Sequence, residues 1–192
     1  MKIGYTIPFG EYNWRILEIK GNQALIITEE IVELQWYHNK FVDITWADCT
    51  LRNYLNSEFY NKFSKEEKAK IKLIRIENPD SPWFKSKGGK STNDKIFLLS
   101  LKEVSVYFGD SRAKLQNKGK QRWYIDDENN ANRQAKYGNE FHSWRLRSPG
   151  YYQKTAASVS KFGYIYVRGN GVYGRPRDGG GIRPAMWVML ED

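Results

Sequence analysis

One cysteine and two histidines among 192 residues leave little room for several common chemistries. Cys49 has no partner for an internal disulfide, and a cysteine-based metal site is excluded. His38 has no evident nucleophile or acid beside it, so an edge or surface histidine is the simpler reading. No stretch approaches ~18 uninterrupted apolar residues, which excludes an ordinary transmembrane helix and argues against membrane insertion. The opening MKIGYTIPFGEYNW carries one lysine but no apolar block of signal-peptide length. A cytoplasmic location is expected by default, with a removed signal or another export route left open.

Basic residues concentrate beyond the first third. Residues 1–60 balance at −3, residues 61–140 at +7 and residues 141–192 at +5, for a total of +9. Such asymmetry favours acidic partners, nucleic acid or an anionic glycan among them, and it also serves plain solubility. Apolar residues make up 40% and charged residues 28%, so the chain is neither disordered nor membrane-embedded. Its length suits one well-buried core, expected as a single domain over residues 1–192 with polar insertions near 78–95 and 109–140. Seven tryptophans and thirteen tyrosines imply a core of large rings whose polar tips need partners.

Along the chain, Trp14 to Ile19 alternates as a strand, Gly21-Asn22 makes a tight turn, and Ala24 to Thr28 completes a hairpin. Thr45 with Asp48 resembles a capping box ahead of Leu51, Leu55 and Phe59 at helical spacing. On that helix Cys49 reads as a small buried residue and Arg52 as a loop anchor. Ser64 with Glu67 starts a second helix to about Lys70, and the alternation from Lys70 to Ile76 suits an edge strand with lysines outward. Gly88-Gly89-Lys90-Ser91-Thr92 lacks phosphate-loop spacing because position 84 is Phe, so residues 78–95 read as a flexible crossing loop. Lys95 to Leu99 reads as a strand, and Ser100 with Glu103 caps a two-turn helix. Asp126, Asp127 and Glu128 lack the alternation of a calcium loop, and solvent-facing acids are expected there. A brief helix is expected from Asn130 to Tyr137. Pro184 lacks a donor and belongs at the start of the last strand, Met186 to Val188. Strands and helices are segregated rather than alternating, which makes the fold α+β, with antiparallel strands, two or three short helices and long loops.

The last fifty residues begin with WRLR and end with IRPAMWVML; between them lies a Tyr-, Gly-, Arg- and Lys-rich run with no helical period. Apolar ends of this kind bury as strands, and the middle reads as surface turns. Tyr151, Tyr152, Lys154, Tyr164, Tyr166, Arg168, Tyr173, Arg175 and Arg177 are the candidate ligand-binding residues. Tyrosine and arginine supply amphipathic contact area and forked donors. The competing reading, core or cross-strand pairing, stays open for each ring.

Several segments together resemble the family named domain of unknown function 6273, from bacteria and phages. They are Pro8-Phe9-Gly10 with Trp14 to Leu17, Thr45-Trp46 with Leu51 to Asn56 and Phe59, and Thr92 to Ser100 with Glu103-Val104. Trp144 to Gly150 and Gly181 to Trp187 complete the set. That family resembles the C-type lectin fold, in the branch of formylglycine-generating-type domains and the variable proteins of diversity-generating retroelements. The resemblance implies a ligand face drawn from residues 151–177, with Trp46, Arg52, Trp144, Arg147, Arg183 and Trp187 as framework. Arg145 departs from the family, which commonly has an aromatic there, and Asp178 to Gly181 is a glycine-rich approach to the last strand. Sugar motifs of the Glu-Pro-Asn or Gln-Pro-Asp type are absent, as are the cysteine or metal-histidine sets of the fold's enzymes.

The expected function is a non-enzymatic module presenting a Tyr/Arg-rich loop surface to a protein or glycan, without cofactor or metal. Nucleic-acid or other polyanion binding through the basic surface is the alternative. A hydrolase using Asp126, Asp127 or Glu140 with His142 is a third reading, lacking a nucleophile or oxyanion element.

Overall fold

The computed structural model describes residues 2–120, 123–174 and 180–190. Its architecture is mixed α and β, with mostly antiparallel sheets and short helices. A meander opens the chain: β1 (Thr6–Phe9), β2 (Tyr12–Lys20) and β3 (Gln23–Thr28). Its second turn uses Gly21 at φ +56°, a conformation that glycine adopts without strain. After β4 (Glu33–Leu34), a 3-10 turn at Trp46–Asp48 leads into α1 (Thr50–Tyr54), which continues as a π-helical turn over Leu55–Phe59. Next come α2 (Lys65–Lys70), β5 (Ile74–Ile76), β6 (Thr92–Asp94), α3 (Leu101–Tyr107) and α4 (Arg112–Gln116). They are followed by β7 (Tyr124–Ile125), α5 (Asn130–Arg133) and the hairpin of β8 (Lys136–Tyr137) and β9 (Glu140–Phe141). The chain then runs through β10 (Trp144–Pro149), β11 (Thr155–Val159), β12 (Ile165–Gly171), β13 (Gly181–Ile182) and β14 (Ala185–Met189).

Two sheets organise these elements. One has the order β1-β2-β3-β14, and the other β4-β13-β10-β11-β12-β7. The C-terminal stretch links them, because β13 lies between β4 and β10 while β14 pairs with β3. Pro184 sits between β13 and β14, where its missing N–H costs no ladder bond, and its carbonyl accepts from the Thr28 N–H at 3.0 Å.

Several local expectations are corrected. Five short α-helices occur among the described residues, not two or three. Thr45 does not cap a helix through its side chain: its hydroxyl lies 3.4 Å from the Asp48 carboxylate. Instead Cys49 caps α1, its Sγ accepting from the Arg52 N–H at 3.4 Å. Lys95 to Leu99 forms no strand. Ile96 to Leu99 are buried, and only Phe97 bridges to Ala185. The Lys70–Ile76 strand shrinks to β5, since a full capping box keeps Lys65–Lys70 helical and Ile71 is drawn to Val188 of β14. Residues 78–95 are tied down rather than loose: the Ser86 hydroxyl donates to the Gly150 carbonyl, and Gly88 packs where a Cβ would meet the Asn78 carbonyl at 2.0 Å. The expected helix to Tyr137 stops at Arg133, and Lys136–Tyr137 turns into a strand.

Buried polar braces join the parts. Asp94 is fully buried and accepts from Arg52 Nε at 2.6 Å, Trp46 Nε1 at 2.8 Å and the Thr92 hydroxyl at 2.8 Å. Asn56 accepts from the Lys95 and Ile96 N–H groups and donates to the Ile96 carbonyl. Arg147 reaches Glu103 with both terminal nitrogens, one of which also donates to the Leu98 carbonyl at 2.7 Å. Glu103 in turn completes the capping box of α3 with Ser100. Burial alone pushes the Glu103 carboxyl up. The Arg147 charge and hydrogen bonds, with the Ser100 N–H, outweigh that and hold it below the ordinary carboxylate range.

Replacing Arg147 by Met leaves a half-buried carboxylate without its partner, and urea unfolding should show a loss of about 2 kcal/mol. Glu103 has a depressed folded pKa, so its stabilisation is complete above the ordinary value of 4.5 and is lost as pH falls through the folded value. Unfolding titrations below pH 4.5 should therefore show a shallower decline for Glu103→Gln than for the wild type.

Candidate functional site

Strand β12 presents alternate residues on opposite sides. Ile165, Val167 and Gly169 are buried, while Tyr166, Arg168 and Asn170 are half-buried on the other face. β7 pairs alongside with Tyr124 opposite Tyr166, so those two rings project together. A bulge then turns the strand. The register shifts between Ala156 and Ser158 of β11, and Gly169 takes φ +72° where a Cβ would meet the Ala156 carbonyl oxygen at 2.3 Å. The Arg168 N–H thus donates to the Trp123 carbonyl at 2.9 Å, while the Arg168 carbonyl accepts from the Tyr151 N–H at 2.7 Å.

These two bonds bring Trp123 and Tyr151 close to one guanidinium. Arg168 lies 4.5 Å from the Trp123 ring and 5.7 Å from the Tyr151 ring. Tyr151 meets Phe84 edge to face at 4.7 Å and Tyr152 at 4.4 Å, and Lys118 covers Phe84 at 4.8 Å. Tyr164 stacks on Tyr124 at 5.5 Å and lies 5.8 Å from Phe162, which carries Lys161. A second ring group contains Tyr173 against Trp36 at 4.5 Å, and Lys154 over Phe41 at 4.9 Å. The Lys154 carbonyl accepts from the Val172 N–H, connecting the two neighbourhoods through the backbone.

Arg168, Lys118, Lys154 and Lys161 make no ion pair among the described residues; each rests on a ring instead. Of the nine sequence-derived candidates, Tyr151, Tyr152, Tyr164, Tyr166 and Arg168 fall in the larger group and Lys154 and Tyr173 in the smaller. Arg175 and Arg177 lie outside the described residues. Sequence reasoning missed Phe84, Trp123, Tyr124, Trp36 and Phe41. The signal available was aromatic islands within polar stretches, Trp83-Phe84 and Trp123-Tyr124, which the lysines around them obscured.

The framework expected from family resemblance is mostly buried. Trp144 Nε1 donates to the Arg133 carbonyl at 2.9 Å, and Arg183 bonds the carbonyls of Thr28 and Glu29. Trp187 differs: it is half-buried, with Lys20 5.5 Å from its ring, at a cavity of about 580 Å³ that also has Phe97, Arg75 and Lys102 in its wall.

Four groups weighed for catalysis make contacts within the frame. The expectation of solvent-facing acids fails at Asp127, whose carboxylate is buried against Arg133 at 2.5 Å and the Ser111 hydroxyl at 2.6 Å. Asp126 accepts from the Asn130 amide at 2.5 Å. His142 Nδ1 lies 2.8 Å from the Ser143 carbonyl, and His38 Nδ1 accepts from the Thr50 N–H. Among the described residues no group of three or more His, Cys, Asp or Glu is placed to hold a metal ion, and no helix is long and apolar enough to cross a membrane.

Residues 21–190 match the family model described as Domain of unknown function (DUF6273), and the chain belongs to that family. No curated protein and no solved structure matches it.

Burial pushes the Cys49 thiol up to about 12, leaving almost no thiolate at neutral pH. Ellman's reagent at pH 8 should label Cys49 only after unfolding; prompt labelling of the native chain would show an accessible thiol.

Proposed function

We propose that this member of the DUF6273 family is a non-enzymatic binding module with a C-type lectin-like scaffold. Its ligand face is the outer side of β12 and β7 with the adjoining loops, and its partner is a protein or glycan bearing negative charge. What carries the reading is Arg168, which rests against Trp123 and Tyr151 without a carboxylate partner among the described residues, at the centre of a ring-lined surface. A guanidinium fixed by two rings loses little freedom on binding and keeps its outward donors for a carboxylate or sulfate. Rings packed edge to face offer rigid apolar area around it. The scaffold reading is supported by β14 closing the first sheet against β3, immediately after β13 has joined the second.

Binding of the wild type and a Tyr164→Ala, Arg168→Ala, Tyr173→Ala variant to protein and glycan arrays, at low and near-physiological salt, tests this. A discrete ligand should survive the higher salt and be lost in the variant, with Arg168→Ala alone costing about 2 kcal/mol. Diffuse polyanion binding that fades steeply with salt and ignores the substitutions would point to electrostatic nucleic-acid association instead.

A further inference from the structure

We infer that the buried guanidinium of Arg145 is an oxyanion site, taking a carboxylate- or sulfate-type group of the ligand; this rests on the binding reading above. Register places Arg145 opposite Ser158, Ser158 opposite Tyr166, and Tyr166 opposite Tyr124. Directly opposed residues share a sheet face, so Arg145 is the inner end of a row that surfaces at Tyr166 and Tyr124.

Arg145 is only 1% exposed. Its Nη2 donates to the Gly171 carbonyl at 3.2 Å, and Nε and Nη1 have no acceptor among the described residues. The other buried arginines are provided for differently. Arg133 has Asp127 and Arg147 has Glu103; Arg183, whose Nη1 also lacks an acceptor among the described residues, donates to two carbonyls and lies 5.2 Å from each of the Phe108 and Trp144 rings. The groups facing Arg145 are Tyr37 and Cys49, and burial keeps both neutral. Burial also lowers the Arg145 pKa to about 10, which still leaves a full charge at neutral pH. A cation enclosed without an anion is costly, and removing that cost favours binding one.

The chemistry beside it fits. Ser158 Oγ accepts from the Asn170 side-chain amide at 3.1 Å, so its own proton is free to donate on the face of Arg145. Nε–H and Nη1–H form the fork that matches two oxygens of one oxyanion. Around Gly171, a Cβ would meet the Tyr173 carbonyl at 3.1 Å and the Phe41 ring at 3.6 Å, Tyr173 packs on Trp36, and a cavity of about 310 Å³ opens beside Trp36, Asn39 and Thr50.

The test is a titration of the full chain with sodium sulfate and, separately, sodium acetate, at ionic strength fixed with gluconate. It is read by thermal shift and by the Arg145 Nε–H resonance. Sulfate raises the Tm of most proteins without saturating, so the variant is the reference. The wild type should show a saturable rise with movement of the Arg145 resonance. Arg145→Met should lose the saturable part, and Arg145→Lys, which keeps charge without the fork, should show weaker binding. The stronger of the two anions identifies a sulfate- or carboxylate-bearing ligand. Equal, unsaturating responses in wild type and variants would overturn the site, as would saturation with the Arg145 resonance unmoved. The Tyr164→Ala, Arg168→Ala pair separates this from the broader reading: it should keep the sulfate or acetate response while losing the array ligand.

Discussion

The pairing of Arg147 with Glu103 is the interaction on which most of the architecture converges. Glu103 closes the capping box of α3, and Arg147 binds it while also reaching the carbonyls of Leu98 and Glu77 and the side chain of Asn78. The backbone of Arg147 is used as well: its N–H donates to the Leu99 carbonyl, and its carbonyl accepts from the buried Tyr37 hydroxyl. One residue of β10 thereby connects a helix, the start of the 78–95 segment, the buried run ahead of α3 and the loop after β4. Such a pair contributes less by its own attraction than by the penalty for separating it, because the Arg147 guanidinium alone would be a charge with almost no water.

The same logic explains how a surface rich in rings is kept apart from the core. Buried charges are matched locally, Asp127 to Arg133 and Asp94 to Arg52, and these fix the bases of the loops. The cations of the outer face have no such partners among the described residues and lie on rings. A braced base beneath an aromatic rim is the division the proposed binding role calls for, with loops carried by a packed frame.

Much of the frame was legible from sequence. The capping boxes at Ser64 and Ser100 formed as their spacing demanded, and the Gly21-Asn22 hairpin and the placement of Pro184 followed from backbone chemistry alone. The segments that carried the family resemblance turn out to bond one another: Arg52 and Trp46 to Asp94, Asn56 to Lys95 and Ile96, Glu103 to Arg147. Long-range competition defeated the rest. Lys95 to Leu99 has strand composition, but Asn56 and Ala185 claim its backbone groups. Phe84 and Trp123 sit among lysines and glycines, so local hydropathy hid rings that only tertiary contact brings to Tyr151 and Arg168.

Two regions compete for the role of ligand surface: the ring-lined outer face and the cavity of about 580 Å³ beside Trp187. Hydroxyl-radical footprinting of the wild-type chain, with and without an array ligand retained at near-physiological salt, separates them in one measurement. Protection of Trp123, Tyr124, Tyr151 and Tyr152, with Trp187 and Tyr107 unchanged, is the predicted result. Protection centred on Trp187, Tyr107 and Val106 with an unprotected outer face would contradict the account.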